Sequence, residues 1–292
     1  MSSAVDKARY LLAGVAQNFR GAQCPSCGAS RSDLIARKYV VTELRRCEGC
    51  GLMFRLPTFS AEASEDFYQT AYSQGFTTDM PDDRSLAELL NVGFKGTEKD
   101  YSVYLSVLEA LGVRPGSRVF DFGCSWGYGS WQLQKHGYQV RAFEISRVRA
   151  TYARAKLGLS VSTELPVGDH SVDVFFSAHV IEHVPSVNDA VRYGLSMLKP
   201  GGLFVAFTPN GSDAFRRLMP DNWMKAWGLV HPNYLDDVYY THSWNTLRYL
   251  ITSAPYPTEL LRRWTIDGHV PTKGNLSGGE LLFVAEAPRP EA

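Results

Sequence analysis

Four cysteines fall as Cys24-x-x-Cys27 and Cys47-x-x-Cys50, with nineteen residues between the pairs. Each pair is followed by glycine, reading CPSCG and CEGCG. A Cys-x-x-Cys turn points two thiolates at one ion, and glycine behind it accepts the left-handed backbone such a turn needs. Two turns supply the tetrahedral four-thiolate set of Zn2+. Four thiolates leave no open coordination position, so this zinc is expected to be structural. Paired disulfides would need an oxidising compartment that nothing else in the chain supports. A redox dithiol would need one such pair beside a βαβ unit.

Three further groups of residues could do chemistry. The stretch Asp121-Phe122-Gly123-Cys124-Ser125-Trp126-Gly127-Tyr128-Gly129 ends one β-like run and opens a helix. Its glycines let the backbone approach a ligand at the carboxyl ends of parallel strands. Glu144 follows Gly123 by twenty-one positions, where an acid can accept both hydroxyls of a ribose. The loop lacks GxGxxG and GKS/T spacing, so a nucleoside without a pyrophosphate fits better. Next, His179-Val180-Ile181-Glu182-His183 follows the run VDVFFSAHV. If a helical turn begins there, its polar groups share one face. Three readings stay open: a general base, His179 or His183 oriented by Glu182; a metal site of His179, Glu182 and His183 completed by His231 or His242; or a Glu–His pair that only packs the crevice wall. The same letters spell the H-x-x-E-H of inverted zinc peptidases, but that motif belongs inside a long helix, and here it ends a strand. Finally, residues 208–244 form a long stretch rich in Trp, Tyr, His and Asn. Long loops of this kind are usually lids or binding loops, and an aromatic wall suits a sugar or another flat acceptor. Trp223, His231 and Tyr234 are the expected acceptor contacts. Arg216 and Arg217 read as a solvated helix face.

These groups need elements to position them. ARKYVVTELRRC between the cysteine pairs reads as a hairpin strand, and Pro57 closes that module. Residues 5–20 and most of 60–111 read as helical. Thereafter SRVFDFG, QVRAFEIS, VDVFFSAHV and GLFVAFTPN read as strands alternating with the helices WQLQKHG, VRATYARAKLG and VNDAVRYGLSMLKPG. That alternation predicts a mainly parallel sheet with helices on both faces. LLRRWTID and ELLFVAEA read as two last strands forming an antiparallel edge. With 292 residues and 45% apolar content the chain can pack a core without disulfides. Thirty basic residues balance thirty acidic ones, which tilts the partner away from nucleic acid. The longest apolar run, VDVFFSAHVI, has the length of a buried strand and not of a membrane span. The N-terminus lacks an uninterrupted apolar segment with a cleavage site, so the expectation is a cytoplasmic chain.

DFGCSWG, FEIS, HVIEHV, LKPGG and TPN, in this order and spacing, together resemble a class I S-adenosylmethionine-dependent methyltransferase over about residues 113–289. The resemblance implies a Rossmann-like doubly wound, mainly parallel seven-stranded sheet. It places Asp121, Gly123 and Gly127 at the methionine part of the cofactor, Glu144 on the ribose and Ile145 against adenine. Residues near Thr163–Leu165 would close the other side, and Cys124 would be a small packed residue of the same loop. Ser125 departs from the family, which usually has glycine there. In related O-methyltransferases of quinone biosynthesis and small-RNA capping, a Glu-x-x-Glu-His set at the post-strand position binds a divalent cation that acidifies a substrate hydroxyl. Here His179 replaces the first glutamate, and nitrogen donors favour Zn2+, Fe2+ or Mn2+ over Mg2+. CGLMFRLPTFSAEASEDFYQTAY is also similar to bacterial proteins that join a zinc ribbon to a methyltransferase, many of them among sugar-modifying enzymes.

The expected organisation is an N-terminal helix (1–22), a four-cysteine zinc ribbon (23–56), a helical connector or lid (57–112) and a methyltransferase domain (113–292) with an acceptor-loop insertion (211–242). The expected reaction is methyl transfer from S-adenosyl-L-methionine to a hydroxyl of a sugar, nucleotide-sugar or glycan precursor. His179, Glu182 and His183 would be catalytic, Cys24, Cys27, Cys47 and Cys50 would hold zinc, and a second divalent metal at the active site is the alternative to a base. Two rivals are an RNA methyltransferase that grips nucleic acid with the ribbon, and a scaffold that keeps the fold without turnover.

Overall fold

The structure is a computed structural model describing residues 23–39, 42–58, 79–228, 231–244, 247–267 and 271–289. The helix expected at 5–20, and the helical connector from 59 to 78, lie outside the described residues. Among the described residues no helix is long and apolar enough to cross a membrane.

The N-terminal module is a meander of β1 (Ser32–Lys38), β2 (Thr42–Cys47) and β3 (Met53–Leu56). β1 pairs antiparallel with β2, and β2 with β3. Helices α1 (Asp83–Asn91) and α2 (Ser102–Ala110) follow. The main domain then alternates β4 (Arg118–Phe122), α3 (Tyr128–Lys135), β5 (Gln139–Phe143), α4 (Arg147–Leu157), β6 (Val161–Ser162), β7 (Val172–Ala178), α5 (Val187–Met197) and β8 (Leu198–Pro209). After β8 come α6 (Asp213–Leu218), α7 (Pro220–Lys225), β9 (Asn233–Tyr234) and α8 (Asp237–Ser243). The chain ends with β10 (Tyr249–Ser253), α9 (Thr258–Asp267), β11 (Thr272–Lys273) and β12 (Glu280–Glu286).

The large sheet has eight strands in the order β11-β10-β12-β8-β7-β4-β5-β6. Strands β8, β7, β4, β5 and β6 run parallel, and β12 is antiparallel to both β8 and β10. Side chains alternate across it: Val119, Val174, Val205 and Leu282 face α2 and α9, while Phe120, Phe175, Phe204 and Phe283 face the α5 and α8 side. Both faces are therefore covered, as a parallel sheet requires.

Three expectations are corrected here. LLRRWTID is helical, not a strand, because Leu261 and Trp264 are spaced to bury one helical face on the sheet. The strand in question is YLITS, whose five residues are all buried. The antiparallel strand is not the edge, since β12 lies between β8 and β10, and Thr272–Lys273 adds an eighth strand to the seven expected.

The stretch after β8 supplies a strand to the small sheet. β9, from the stretch after β8, pairs antiparallel with β3 and makes the small sheet four-stranded, in the order β1-β2-β3-β9. Cys24, Cys47, Cys50, Leu52 and Phe54 pack in the same apolar cluster as Ile181, Val187 and Phe204 of the large domain.

Candidate active site and cysteine cluster

The carboxyl ends of β4, β5 and β7 build the centre of the site. Asp121 stands near the end of β4, buried, and its Oδ2 accepts from Ser130 Oγ at 2.5 Å. Burial, reinforced by the charge of Glu144, pushes its carboxyl up to about 7. Gly123 follows with φ +85°, and a Cβ there would lie 2.5 Å from Val180 Cγ2. The loop and the turn after β7 thus touch at a point where only glycine fits. Ser125 has φ +54°, the left-handed conformation that makes glycine usual here. Two contacts hold it: its N–H donates to Glu144 Oε2 at 2.8 Å, and its Oγ accepts from Arg149 Nη1 at 2.7 Å.

Glu144, at the end of β5, is 4% exposed, and its Oε1 accepts from the Ser146 N–H at 2.8 Å. Burial raises its pKa, while these two amides oppose the rise. Each carboxylate oxygen keeps a second acceptor position, which suits a ribose diol. Gly127 opens α3 with φ +94°, packed on Leu159 and Ala153. Cys124 turns into the cluster of Leu86, Phe94 and Trp126, and burial keeps its thiol protonated. Ile145 is half-buried beside Glu144, whereas Leu165 is 48% exposed.

The turn after β7 divides the five residues His179–His183. His179 adopts φ +55°, its N–H donating to the Phe207 carbonyl at 2.9 Å. Its ring lies between two carboxylates, with Nδ1 3.3 Å from Glu182 Oε1 and Nε2 2.5 Å from Glu280 Oε2. Burial alone would lower its pKa, but the bonds to Glu182 and Glu280 prevail and raise it to about 10. An imidazolium held this way has no lone pair to offer at neutral pH. Glu280 also accepts from Tyr104 Oη at 2.9 Å and from Tyr256 Oη. None of Glu280, Tyr104 and Tyr256 was picked out from sequence. The available signal was orientation: an antiparallel β12 starts where the parallel strands end, so its first residue faces the crevice.

On the other side, Glu182, His183 and His231 each bring one ligating atom to within 4.8 Å of the others. Glu182 is fully buried, and its Oε2 has no hydrogen-bond partner among the described residues. His183 Nε2 stands 3.9 Å from Glu182 Oε1, and its ring meets that of His231 edge-on with centroids 4.7 Å apart. His231 Nδ1 lies 2.6 Å from the Ala226 carbonyl. A carbonyl only accepts, so Nδ1 carries the proton and Nε2 holds the lone pair of the neutral ring. His242 is exposed on α8 and does not join this group.

The other aromatic residues expected to touch an acceptor are packed within the stretch 208–244 itself. Trp223 and Tyr234 are each 1% exposed, their rings tilted against each other with centroids 5.2 Å apart, with Trp223 Nε1 donating to the Gly211 carbonyl and Tyr234 Oη to that of Asn210. Arg216 lies over the Trp223 ring at 4.6 Å, and Arg217 is exposed.

In the small module the Sγ atoms of Cys24, Cys27, Cys47 and Cys50 all lie within 4.8 Å of one another. Gly28 and Gly51 follow the two turns at φ +76° and +75°. Hydrogen bonding to Cys24 and then burial push the Cys50 thiol far up, while its bond to Cys50 lowers Cys24 to about 5. Thiols packed this closely oppose one another's ionisation, and a divalent cation removes that opposition, so the quartet fits Zn2+.

Comparison with known proteins agrees with this geometry. Residues 120–206 match the family model described as a methyltransferase domain. Over these residues the chain is thus similar to methyltransferase domains. Among curated proteins it is 34% identical, over 100 residues, to a probable S-adenosylmethionine-dependent methyltransferase of Mycolicibacterium smegmatis, covering 32% of this chain and 39% of that protein. It is 31% identical, over 122 residues, to the ubiquinone biosynthesis O-methyltransferase of Xanthomonas campestris pv. campestris, covering 38% of this chain and 51% of that one. The likeness to these two proteins therefore spans about half of their length or less. Among solved structures, the plantazolicin methyltransferase superposes with a TM-score of 0.51 at 12% identity, covering 78% of this chain and 96% of that one. The geranyl diphosphate C-methyltransferase of Streptomyces coelicolor A3(2) gives 0.50 at 13% identity, covering 78% and 98%. At such identity these two show a shared fold.

Proposed function

We propose that the protein is a methyltransferase that moves the methyl group of S-adenosylmethionine to a hydroxyl of a sugar, nucleotide-sugar or glycan precursor, with His231 and His183 on the proton-accepting side. The observation that carries this reading is the His231 Nδ1–carbonyl bond, which leaves the lone pair of the neutral ring on Nε2, in a residue grouped with Glu182 and His183. When bound, the cofactor supplies an electrophilic methyl on a sulfonium. Asp121, Gly123 and Gly127 would hold its methionine part, and Glu144 its ribose. Glu182 orients His183 and stabilises an imidazolium as the acceptor proton arrives. His179, already charged, serves with Glu280, Tyr104 and Tyr256 as a fixed polar wall that suits a polyhydroxylated acceptor. Alignment of acceptor and methyl supplies most of the acceleration, and the base adds to it.

A second reading is favoured by the buried, unpartnered Glu182 Oε2: Glu182, His183 and His231 hold a divalent cation that acidifies the acceptor hydroxyl. One lone pair on His231 cannot serve both roles, so the two readings separate. Candidate sugars and nucleotide-sugars are assayed with labelled cofactor, with and without EDTA, while ribbon zinc is monitored. Under the base reading, His231→Ala and His183→Ala each lower turnover by roughly 10²–10⁴-fold while cofactor binding persists, and EDTA changes nothing. EDTA-sensitive turnover restored by Mn2+ or Zn2+ favours the metal. Unchanged turnover in both variants overturns both readings.

A further inference from the structure

The cysteine module reaches the proposed catalytic turn by two routes. Through β9, Phe54 pairs with Asn233 and Met53 with Tyr234, and the Arg55 N–H donates to the Pro232 carbonyl at 2.8 Å. Asn233 is 1% exposed and points back across the site. Its Nδ2 donates to the Val184 carbonyl at 2.7 Å and reaches that of Glu182 at 3.4 Å, while its own N–H donates to Glu182 O at 3.1 Å. The second route is the first cysteine turn itself. Ser26, between Cys24 and Cys27, accepts from the Asn188 N–H at 2.9 Å in the first turn of α5. Between these two attachments, Ile181 and Val187 pack in the apolar cluster that contains Cys24, Cys47 and Cys50. A part-buried ion pair, Arg46 to Asp236 at 2.6 Å, closes the same junction.

A two-residue strand such as β9 has no stability of its own and exists only while β3 is there to pair with it. A four-cysteine module of this size in turn depends on its metal for folding. The cofactor loop is attached differently: the first amides after β4 donate to the Phe143 carbonyl of β5, inside the large sheet.

We propose that the zinc-held ribbon is a positioning element of the transfer site: through Asn233 and Ser26 it fixes segment 181–188 and, with it, His183 and His231, so that metal loss loosens the acceptor side while the cofactor side stays formed. The catalytic meaning rests on the reading above; the structural dependence can be measured without it. In this role Asn233 and Ser26 are positioning residues and touch no substrate.

Hydrogen exchange on the full chain tests the proposal, before and after zinc is removed with an organomercurial and the metal content is measured. Amides 180–188 are expected to lose protection by roughly tenfold or more, while 118–127 and 139–144 keep theirs. S-adenosylhomocysteine affinity is expected to stay within about threefold, as the cofactor half is not built from the ribbon. Asn233→Asp, which keeps the shape but turns an acceptor toward the carbonyls, is expected to loosen 180–188 with zinc retained. Unchanged protection at 180–188 after zinc leaves, unchanged protection in Asn233→Asp, uniform loss across the sheet, or a purified protein without zinc would each overturn the proposal. Failure to bind S-adenosylmethionine or its product would instead sink the methyltransferase reading, and the exchange pattern would remain a separate result.

Discussion

If Asp121 holds the cofactor as proposed, its buried carboxyl ties binding to pH. Burial first, and the charge of Glu144 second, push it from an ordinary 3.8 to about 7. For an acid raised in the folded state, the stabilising contribution is complete below 3.8 and is lost as pH rises through about 7. A cationic ligand beside it favours the carboxylate, so binding releases a proton below that pH. S-adenosylmethionine affinity should therefore climb by up to about tenfold per unit toward pH 7 and then level off. Calorimetry at several pH values, in buffers of different ionisation enthalpy, reads both the slope and the proton, and Asp121→Asn should flatten the profile. His179 runs the opposite way. Raised from 6.5 to about 10, its contribution is complete below 6.5 and fades as pH rises through 10, so it remains a cation at neutral pH.

The loop after β4, bonded to the Phe143 carbonyl of β5, meets the turn after β7 at one close contact. The close approach of Gly123 to Val180 makes this contact testable. Gly123→Ala is expected to destabilise the fold by roughly 1–3 kcal/mol from overpacking, in addition to the positive-φ strain, and to weaken cofactor binding. Adding Val180→Ala should return part of the loss, and a double-mutant cycle from urea unfolding measures the coupling. A cycle without coupling would mean that the loop and the turn move independently. Ser125 illustrates the same point on the other flank. An expected glycine position carries serine because Arg149 and Glu144 hold that residue in the left-handed conformation.

Over the whole molecule, the cysteine module and the stretch after β8 are joined by the β3–β9 pairing and by the Arg46–Asp236 ion pair. Asp236 is 1% exposed at its side chain, burial raises its pKa, and the Arg46 guanidinium and the Tyr239 amide oppose that rise. Arg46→Met leaves that carboxyl buried with the Tyr239 amide as its remaining donor, so a loss of about 1–3 kcal/mol is expected in denaturant unfolding. A change below about 1 kcal/mol would show that the junction is held by the apolar cluster alone.

Much of this site is readable from local sequence, because local chemistry dictates it. Two Cys-x-x-Cys-Gly turns, glycines at positive φ after a strand and an acid at the end of the next strand are requirements of a few adjacent residues. The alternation of strands and helices over 118–209 likewise follows from periodicity. Periodicity misled at LLRRWTID, where Leu261 and Trp264 suit either element until a sheet face is present to bury them. Local sequence says nothing of partners brought from afar. Glu280 meets His179 across 101 positions, and Asn233 reaches Val184 across 49. These contacts exist because β12 runs antiparallel beside β8 and because β9 completes the ribbon's sheet. The amino-acid sequence alone determined which chemistries the chain carries. Tertiary structure decided which histidine is a fixed cation and which keeps a lone pair, because a proton's position depends on the carboxylates and carbonyls that folding places around it.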